Sequence, residues 1–190
     1  MISKRQLEIL KELSEDGRKS ISEIARKLGI SHTAVRGHLE KLVRKNILSI
    51  KLLLNLNRLG HKVAIMLLEV DTIDTTMKIA EKFKECPRLI YLFQSRGSHN
   101  LIVIMAAESD EVLDSIAGSC MIRTCEGIRR SEILEITEPL VNPYLPVRLP
   151  SRKYEKAPCG ADCANCKRYA EDSCLGCPAF KGYRGVIEPT

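Results

Sequence analysis

The sequence predicts an α+β chain in three parts: a helical head, a β-α-β-β-α-β body and a short cysteine-rich tail. Three observations carry this. Apolar residues recur every three or four positions through the first 45 residues, the spacing of amphipathic helices. From Val63 onward they run in continuous strand-sized stretches separated by helical ones. Five of the eight cysteines fall between Cys159 and Cys177.

The head comes first. Ser3 to Ser14 reads as an amphipathic helix with Leu7, Ile9, Leu10 and Leu13 apolar, ended by Asp16-Gly17. Ser20 caps a second helix, and Glu23 three residues on completes a capping box. Its inward face is Ile21, Ile24, Ala25 and Leu28, and Gly29 suits the left-handed end. Ser31 caps a third helix whose buried stripe is Val35, Leu39, Leu42 and Val43. The opposite face carries His32, Thr33, Arg36, His38, Lys41 and Arg44. A short helix, a glycine turn and a polar, cationic second helix form a helix-turn-helix, shaped to enter the major groove of double-stranded DNA. In that reading Arg36, Lys41 and Arg44 neutralise phosphates, and Ser31, His32 and Thr33 reach base edges. The competing reading is a helical hairpin with a solvated basic face. Asn46 tolerates a left-handed cap, and Ile47 to Leu56 then reads as the β-structure of a wing.

Charge follows the same division. The net charge of +6 is spread as +5 over residues 1–50, −2 over 51–138 and +3 over 139–190. A basic head on a mildly acidic body suits a nucleic-acid-binding unit joined to one that contacts something else. No apolar run is long enough to cross a bilayer, and the polar first helix is no secretory signal, so the expected location is cytoplasmic with no membrane partner.

In the body, Val63 to Val70 is an apolar strand, and Thr75 to Glu85 a helix with Ile73, Met77, Ala80 and Phe83 inward, stopped by Pro87. Leu89 to Ser95 and Leu101 to Ala107 are strands joined through Arg96-Gly97-Ser98-His99-Asn100. Ser109 opens a second helix with Val112, Leu113 and Ile116, and Ile128 to Thr137 closes as a fourth strand. This order is the ferredoxin-like split unit, with two helices on one face of an antiparallel sheet. The strands around Met66 and Ile104 are apolar on both faces, so the face without helices needs a cover, and dimerisation through the sheet is inferred.

From about Ser3 to Glu138 the chain resembles the Lrp/AsnC, or feast/famine, family of transcription regulators. The resemblance rests on Ile24-Ala25, Leu28-Gly29-Ile30-Ser31 and Val35 in the head. It continues through Asn46-Ile47-Leu48, Leu59-Gly60, Gly97-Ser98-His99-Asn100 and Gly127-Ile128-Arg129-Arg130-Ser131. It implies a homodimer or higher oligomer that regulates transcription without being an enzyme. It also implies a small-molecule effector site beside the turn Gly97, Ser98, His99 and Asn100, where glycine-turn N–H groups can hold a carboxylate. An ordinary hairpin turn would need the same Gly and Asn. The chain departs from the family pattern at His38, which stands for an arginine, at Asn46, which stands for a glycine, and in the 97–100 turn, commonly Gly-Asp-Tyr-Asp. Two alternatives remain beside the regulator: a sirohaem-decarboxylase-like enzyme on the same fold, with His99 and Arg96 grasping carboxylates, and an architectural DNA-binding protein.

Residues 139–158 form a proline-rich linker, holding five of the eight prolines when Pro139 and Pro158 are included. The tail then reads Cys159-Gly-Ala-Asp-Cys163-Ala-Asn-Cys166, with Cys174-Leu-Gly-Cys177-Pro178 following. Two C-x2-C pairs bring four thiolates together around a soft metal; the simplest set is Cys163, Cys166, Cys174 and Cys177 on structural zinc. Cys159 is one ligand more than zinc needs, and with a proline after the last cysteine it also suits an iron–sulfur cluster. A thiol-redox or copper-type sensor is the third reading. Cys86, Cys120 and Cys125 look isolated and read as small buried apolar side chains, with Cys120 and Cys125 near enough in sequence to be checked as a redox pair. The expected division is therefore 1–60 winged head and linker, 61–138 body, 139–158 linker and 159–190 metal-binding module.

Overall fold

Helices Lys4–Glu15 (α1), Ile21–Leu28 (α2) and His32–Arg44 (α3) make up the first of two units in the computed structural model, which describes residues 2–185. Each helix starts on a serine. The Ser20 hydroxyl accepts from the Glu23 N–H while the Glu23 carboxylate accepts from Ser20, and Ser31 accepts from the Ala34 N–H. Ser3 and Gln6 form a second capping box, with glutamine in the role usually given to glutamate. Gly29 ends α2 at φ +63°, and Asn46 follows α3 at φ +54°.

Ile9, Ile24, Ala25 and Val35 form the core of this unit, flanked by Leu13, Ile21, Leu28, Ile30 and Leu39. Of the stripe expected inside on α3, Leu42 is buried but Val43 is 47% exposed, and on α1 the apolar Leu7 is 50% exposed. Val43 lies one residue, about 100°, further round the helix than Leu42, off the contact stripe of three short helices. Glu12 is buried beside this core, its carboxylate held by Lys19 at 2.6 Å and Lys27 at 2.8 Å.

The second unit, residues 52–185, holds everything that follows. Leu53–Asn55 (β1) is the only strand within the expected wing, and it pairs antiparallel with Tyr144–Pro146 (β6) rather than with a neighbouring strand. The proline-rich segment thus folds back onto the unit. Pro146 is tolerated because both strands of a two-stranded ribbon are edges.

The four main strands are Lys62–Val70 (β2), Leu89–Gln94 (β3), Leu101–Ala107 (β4) and Ile128–Ile136 (β5), in the antiparallel order β3-β4-β2-β5. Ile73–Phe83 (α4) and Asp110–Ser119 (α5) cover one face, as the split unit requires. Period-2 alternation sorts the residues: Ala64, Met66, Leu68, Leu101, Val103 and Met105 point to the helices with Ile79, Phe83, Val112 and Ile116. The inward face of α4 is Thr76, Ile79 and Phe83, whereas Ile73 and Met77, predicted inward, are 67% and 60% exposed. The helix starts two residues earlier than the pattern suggested, and Thr76-Ile79-Phe83 is the i, i+3, i+7 set that its observed packing selects. Gly127, before β5, has φ +88°, and a Cβ there would lie 2.7 Å from the Asp71 carboxylate, so only glycine fits.

The tail belongs to this second unit too. Among its described residues the one helix is Lys167–Ala170 (α6); Tyr154 bridges Phe180, and Ala157, Ala179 and Phe180 are buried. Tyr169 meets Phe180 edge to face at 5.7 Å. Cys159 and Leu175 touch the core of the body.

Candidate functional site

On α3, Thr33, Arg36, Lys41 and Arg44 are exposed along one side, with His32 at the first turn and His38 half-buried. The Ser31 hydroxyl is occupied as the helix cap. The cations of the head are either ion-paired or free: Lys19 and Lys27 are committed to Glu12, Arg5 to Glu8 and Arg18 to Asp16. Among the described residues, no carboxylate stands within ion-pair distance of Lys4, Lys11, Arg26, Arg36, Lys41, Arg44 or Lys45, and of these Arg36, Lys41 and Arg44 lie on α3. Three uncompensated cations on the exposed side of a helix, beside a capped N-terminus, are chemically suited to phosphate oxygens.

The turn after β3 places the four predicted effector residues differently from one another. Asn100 is fully used: its Oδ1 accepts from the Val70 N–H and its Nδ2 donates to the Val70 carbonyl, both at 2.7 Å. Ser95 Oγ donates to the His99 carbonyl at 2.7 Å and closes the loop. Ser98 and Gly97 are exposed, with Gly97 at φ +142°. His99 is mostly buried; its Nε2 has no hydrogen-bond partner and lies 4.0 Å from the Glu132 carboxylate.

The tail cysteines surround a cavity of about 120 Å³ between tail and body. Cys159, Cys163, Cys166, Cys174 and Cys177 all line it, and so do Cys86 and Cys120. Those two thiols, which look isolated along the chain, therefore face the tail; Cys125 lines a different cleft with Asp71 and Gly127 and donates to the Met121 carbonyl. All eight cysteines are free thiols. Burial pushes the Cys86 and Cys120 thiols up to about 11, and Cys177 to about 12. Nearby backbone N–H groups act against that rise, those of Arg88 and Leu89 on Cys86, Ile122 on Cys120 and Ala179 on Cys177. Among the described residues, no three Cys, His, Asp or Glu side chains converge closely enough to share one ion.

Beside the cavity lies a buried polar group with no warning in the sequence. Arg88 Nε donates to Glu108 Oε2 at 3.0 Å and its Nη2 to Oε1 at 3.1 Å. The same Nη2 donates to the Gly176 carbonyl at 2.6 Å, and the Tyr183 hydroxyl donates to Glu108 Oε1 at 2.6 Å. Burial acts against the Arg88 charge, but the Glu108 carboxylate outweighs it and raises the guanidinium further. These contacts tie the tail, through Gly176 and Tyr183, to the end of β4.

Comparison with known proteins agrees with this geometry. A family model described as winged helix-turn-helix DNA-binding matches residues 2–49. The HTH-type transcriptional regulator LrpA of Pyrococcus horikoshii is 37% identical over 120 residues, 62% of this chain and 84% of that protein. The HTH-type transcriptional regulator Ptr1 of Methanocaldococcus jannaschii is 30% identical over 117 residues, 60% of this chain and 77% of that one. The solved structure of E. coli AsnC superposes with a TM-score of 0.63 at 16% identity, covering 75% of this chain and 96% of that one. The leucine response regulatory protein LrpA of Mycobacterium tuberculosis gives 0.64 at 18%, covering 74% and 96%. The two solved structures cover about three-quarters of the chain. With a relative this similar along most of its own length, the chain belongs to the Lrp/AsnC family of helix-turn-helix transcription regulators.

Proposed function

We propose that the protein is a dimeric, cytoplasmic, sequence-specific DNA-binding transcription regulator that reads its site with α3. The observation that carries this is the set of three unpaired cations, Arg36, Lys41 and Arg44, exposed on the second helix of the helix-turn-helix. The phosphates take the charge, and Thr33 and His32 face base edges. Self-association is supported by the helix-free face of the sheet, where Ile65, Leu67, Ile102 and Ile104 are flanked by Tyr91, Phe93 and Leu134. The last three are 39%, 48% and 45% exposed, a contiguous apolar surface that a second copy would cover. The 97–100 turn is the effector site of this reading, with Gly97 and Ser98 free to contact a ligand while Asn100 holds the backbone. The cysteine-rich tail binds a soft metal, zinc or iron, through its thiolates.

The family's regulators are not enzymes, which sets aside the tetrapyrrole-decarboxylating alternative. Selection of duplexes from a random pool by the full chain tests the proposal. The regulator should enrich a palindromic sequence with half-sites about one helical turn, roughly 10 base pairs, apart. An unenriched pool with undiminished binding would mean an architectural protein, and no binding to any duplex would refute the proposal.

A further inference from the structure

Two features of the second unit stand outside the family reading. Cys86 follows α4 and Cys120 ends α5, so both come from the body, 39 or more positions ahead of the tail cysteines. Yet both line the same cavity as all five of them. Seven thiols around one space is nearly twice the four thiolates that a zinc ion or an iron–sulfur cluster takes, so the two body cysteines are available as ligands beside those of the tail. The thiols ring a cavity of about 120 Å³, several times the space that one water needs and roomier than a single ion requires.

The lining has the other properties of a cluster site. Phe83, Met105, Ile116 and Ala157 make its walls largely apolar, and the Arg88 guanidinium, ion-paired with Glu108 on its other side, lies at its edge. Hydrogen bonds to sulfur, low solvent access and nearby charge are the means by which proteins hold and tune iron–sulfur clusters.

From this geometry we infer that the cavity holds an iron–sulfur cluster between body and tail, with Cys86 and Cys120 of the body among its thiolate ligands. The inference rests on the reading that the tail binds metal, and narrows it. Each ligating thiol gives up its proton on assembly, so loading releases protons to solvent. The cluster would tie the ends of α4 and α5, both packed on the sheet, to the tail, so its loss would loosen the unit proposed to dimerise.

The test uses the full chain purified without oxygen, and the same protein reconstituted with ferrous iron and sulfide. Expected are iron and acid-labile sulfide in equal amounts, a broad absorbance near ~400 nm, and an iron–iron shell in X-ray absorption. Cys86→Ser and Cys120→Ser, close in size to the native side chains, should each lower retained iron at least twofold, and the double variant should lose the absorbance. Circular dichroism reports whether the variants fold. If the double variant does not, the reduced single variants decide by electron paramagnetic resonance, because a serine ligand alters the cluster signal. Full iron retention in a folded double variant, or unaltered spectra in both singles, would overturn the role of Cys86 and Cys120. One zinc per chain without sulfide would overturn the cluster while leaving the metal-binding tail standing. No metal under either condition would remove both.

Discussion

Replacing Arg88 by methionine removes the one cation that compensates the Glu108 carboxylate, and leaves that carboxylate buried beside the cavity. Both side chains are 12% exposed, and the bond is bidentate at 3.0 and 3.1 Å. Breaking a buried pair by removing one partner typically costs about 3–5 kcal/mol, because the surviving charge is stranded. The Gly176 carbonyl also loses its 2.6 Å donor. The measurement is convenient here: the chain has no tryptophan, and all five tyrosines lie in the second unit, so tyrosine fluorescence in urea reads that unit alone. With a denaturant slope of about 2 kcal/mol per molar, the midpoint should fall by roughly 2 M. The double variant Arg88→Met/Glu108→Gln should be more stable than Arg88→Met alone, since the amide carries no stranded charge and still accepts from Tyr183. A single variant that loses less than about 1 kcal/mol, or a double variant whose losses simply add, would refute the view of this pair as a buried, coupled clamp on the tail.

Three further outcomes follow from the geometry. Asn100→Ala should destabilise the second unit by roughly 2–3 kcal/mol, because the Val70 N–H and carbonyl both lose their partner, and the same fluorescence assay reads it. Hydrogen bonds from Lys19 and then Lys27 lower the Glu12 carboxyl below its usual range. Its stabilising effect is therefore complete above the unfolded value of about 4.3 and is lost as pH falls through the lower folded value. Acid unfolding of the head followed by circular dichroism should be shallower over that interval in Glu12→Gln. Phe93→Glu, on the open sheet face, should shift the chain to monomer in sedimentation while leaving the fold intact; an unchanged dimer would place the interface elsewhere.

The helices of the head were legible almost to the residue, because their signals are local. A serine cap, a glutamate three residues later and a glycine at the end act within one turn, and the structure uses Ser20, Glu23, Gly29, Ser31 and Asn46 in those roles. The order of the body was equally readable from its long apolar runs. What failed was phase and partnership. Apolar periodicity points to the wrong face of α4 because Ile73 and Met77 are apolar yet exposed, while Thr76 is polar yet buried with its hydroxyl on the Thr72 carbonyl. The pairing of β1 with β6 spans some 90 residues, a distance over which no local pattern speaks. The same holds at the cavity. The C-x2-C spacing announced the tail cysteines, but Cys86 and Cys120 gain meaning only when the ends of α4 and α5 meet that tail. Arg88, Glu108 and Tyr183 had no sequence signal, since an Arg, a Glu and a Tyr far apart are ordinary surface residues until folding buries them together.

The central claim is that α3 presents free cations to DNA, and it is tested most directly by the salt dependence of duplex affinity for the chain and its Arg36→Ala and Lys41→Ala variants. If these side chains each neutralise a phosphate, log affinity should fall linearly with log salt, and each variant should flatten the slope by about one. The head should keep its fold, since neither residue belongs to its core. Variants with the parental slope and affinity would contradict the account, because the DNA would then be held by some other face of the chain.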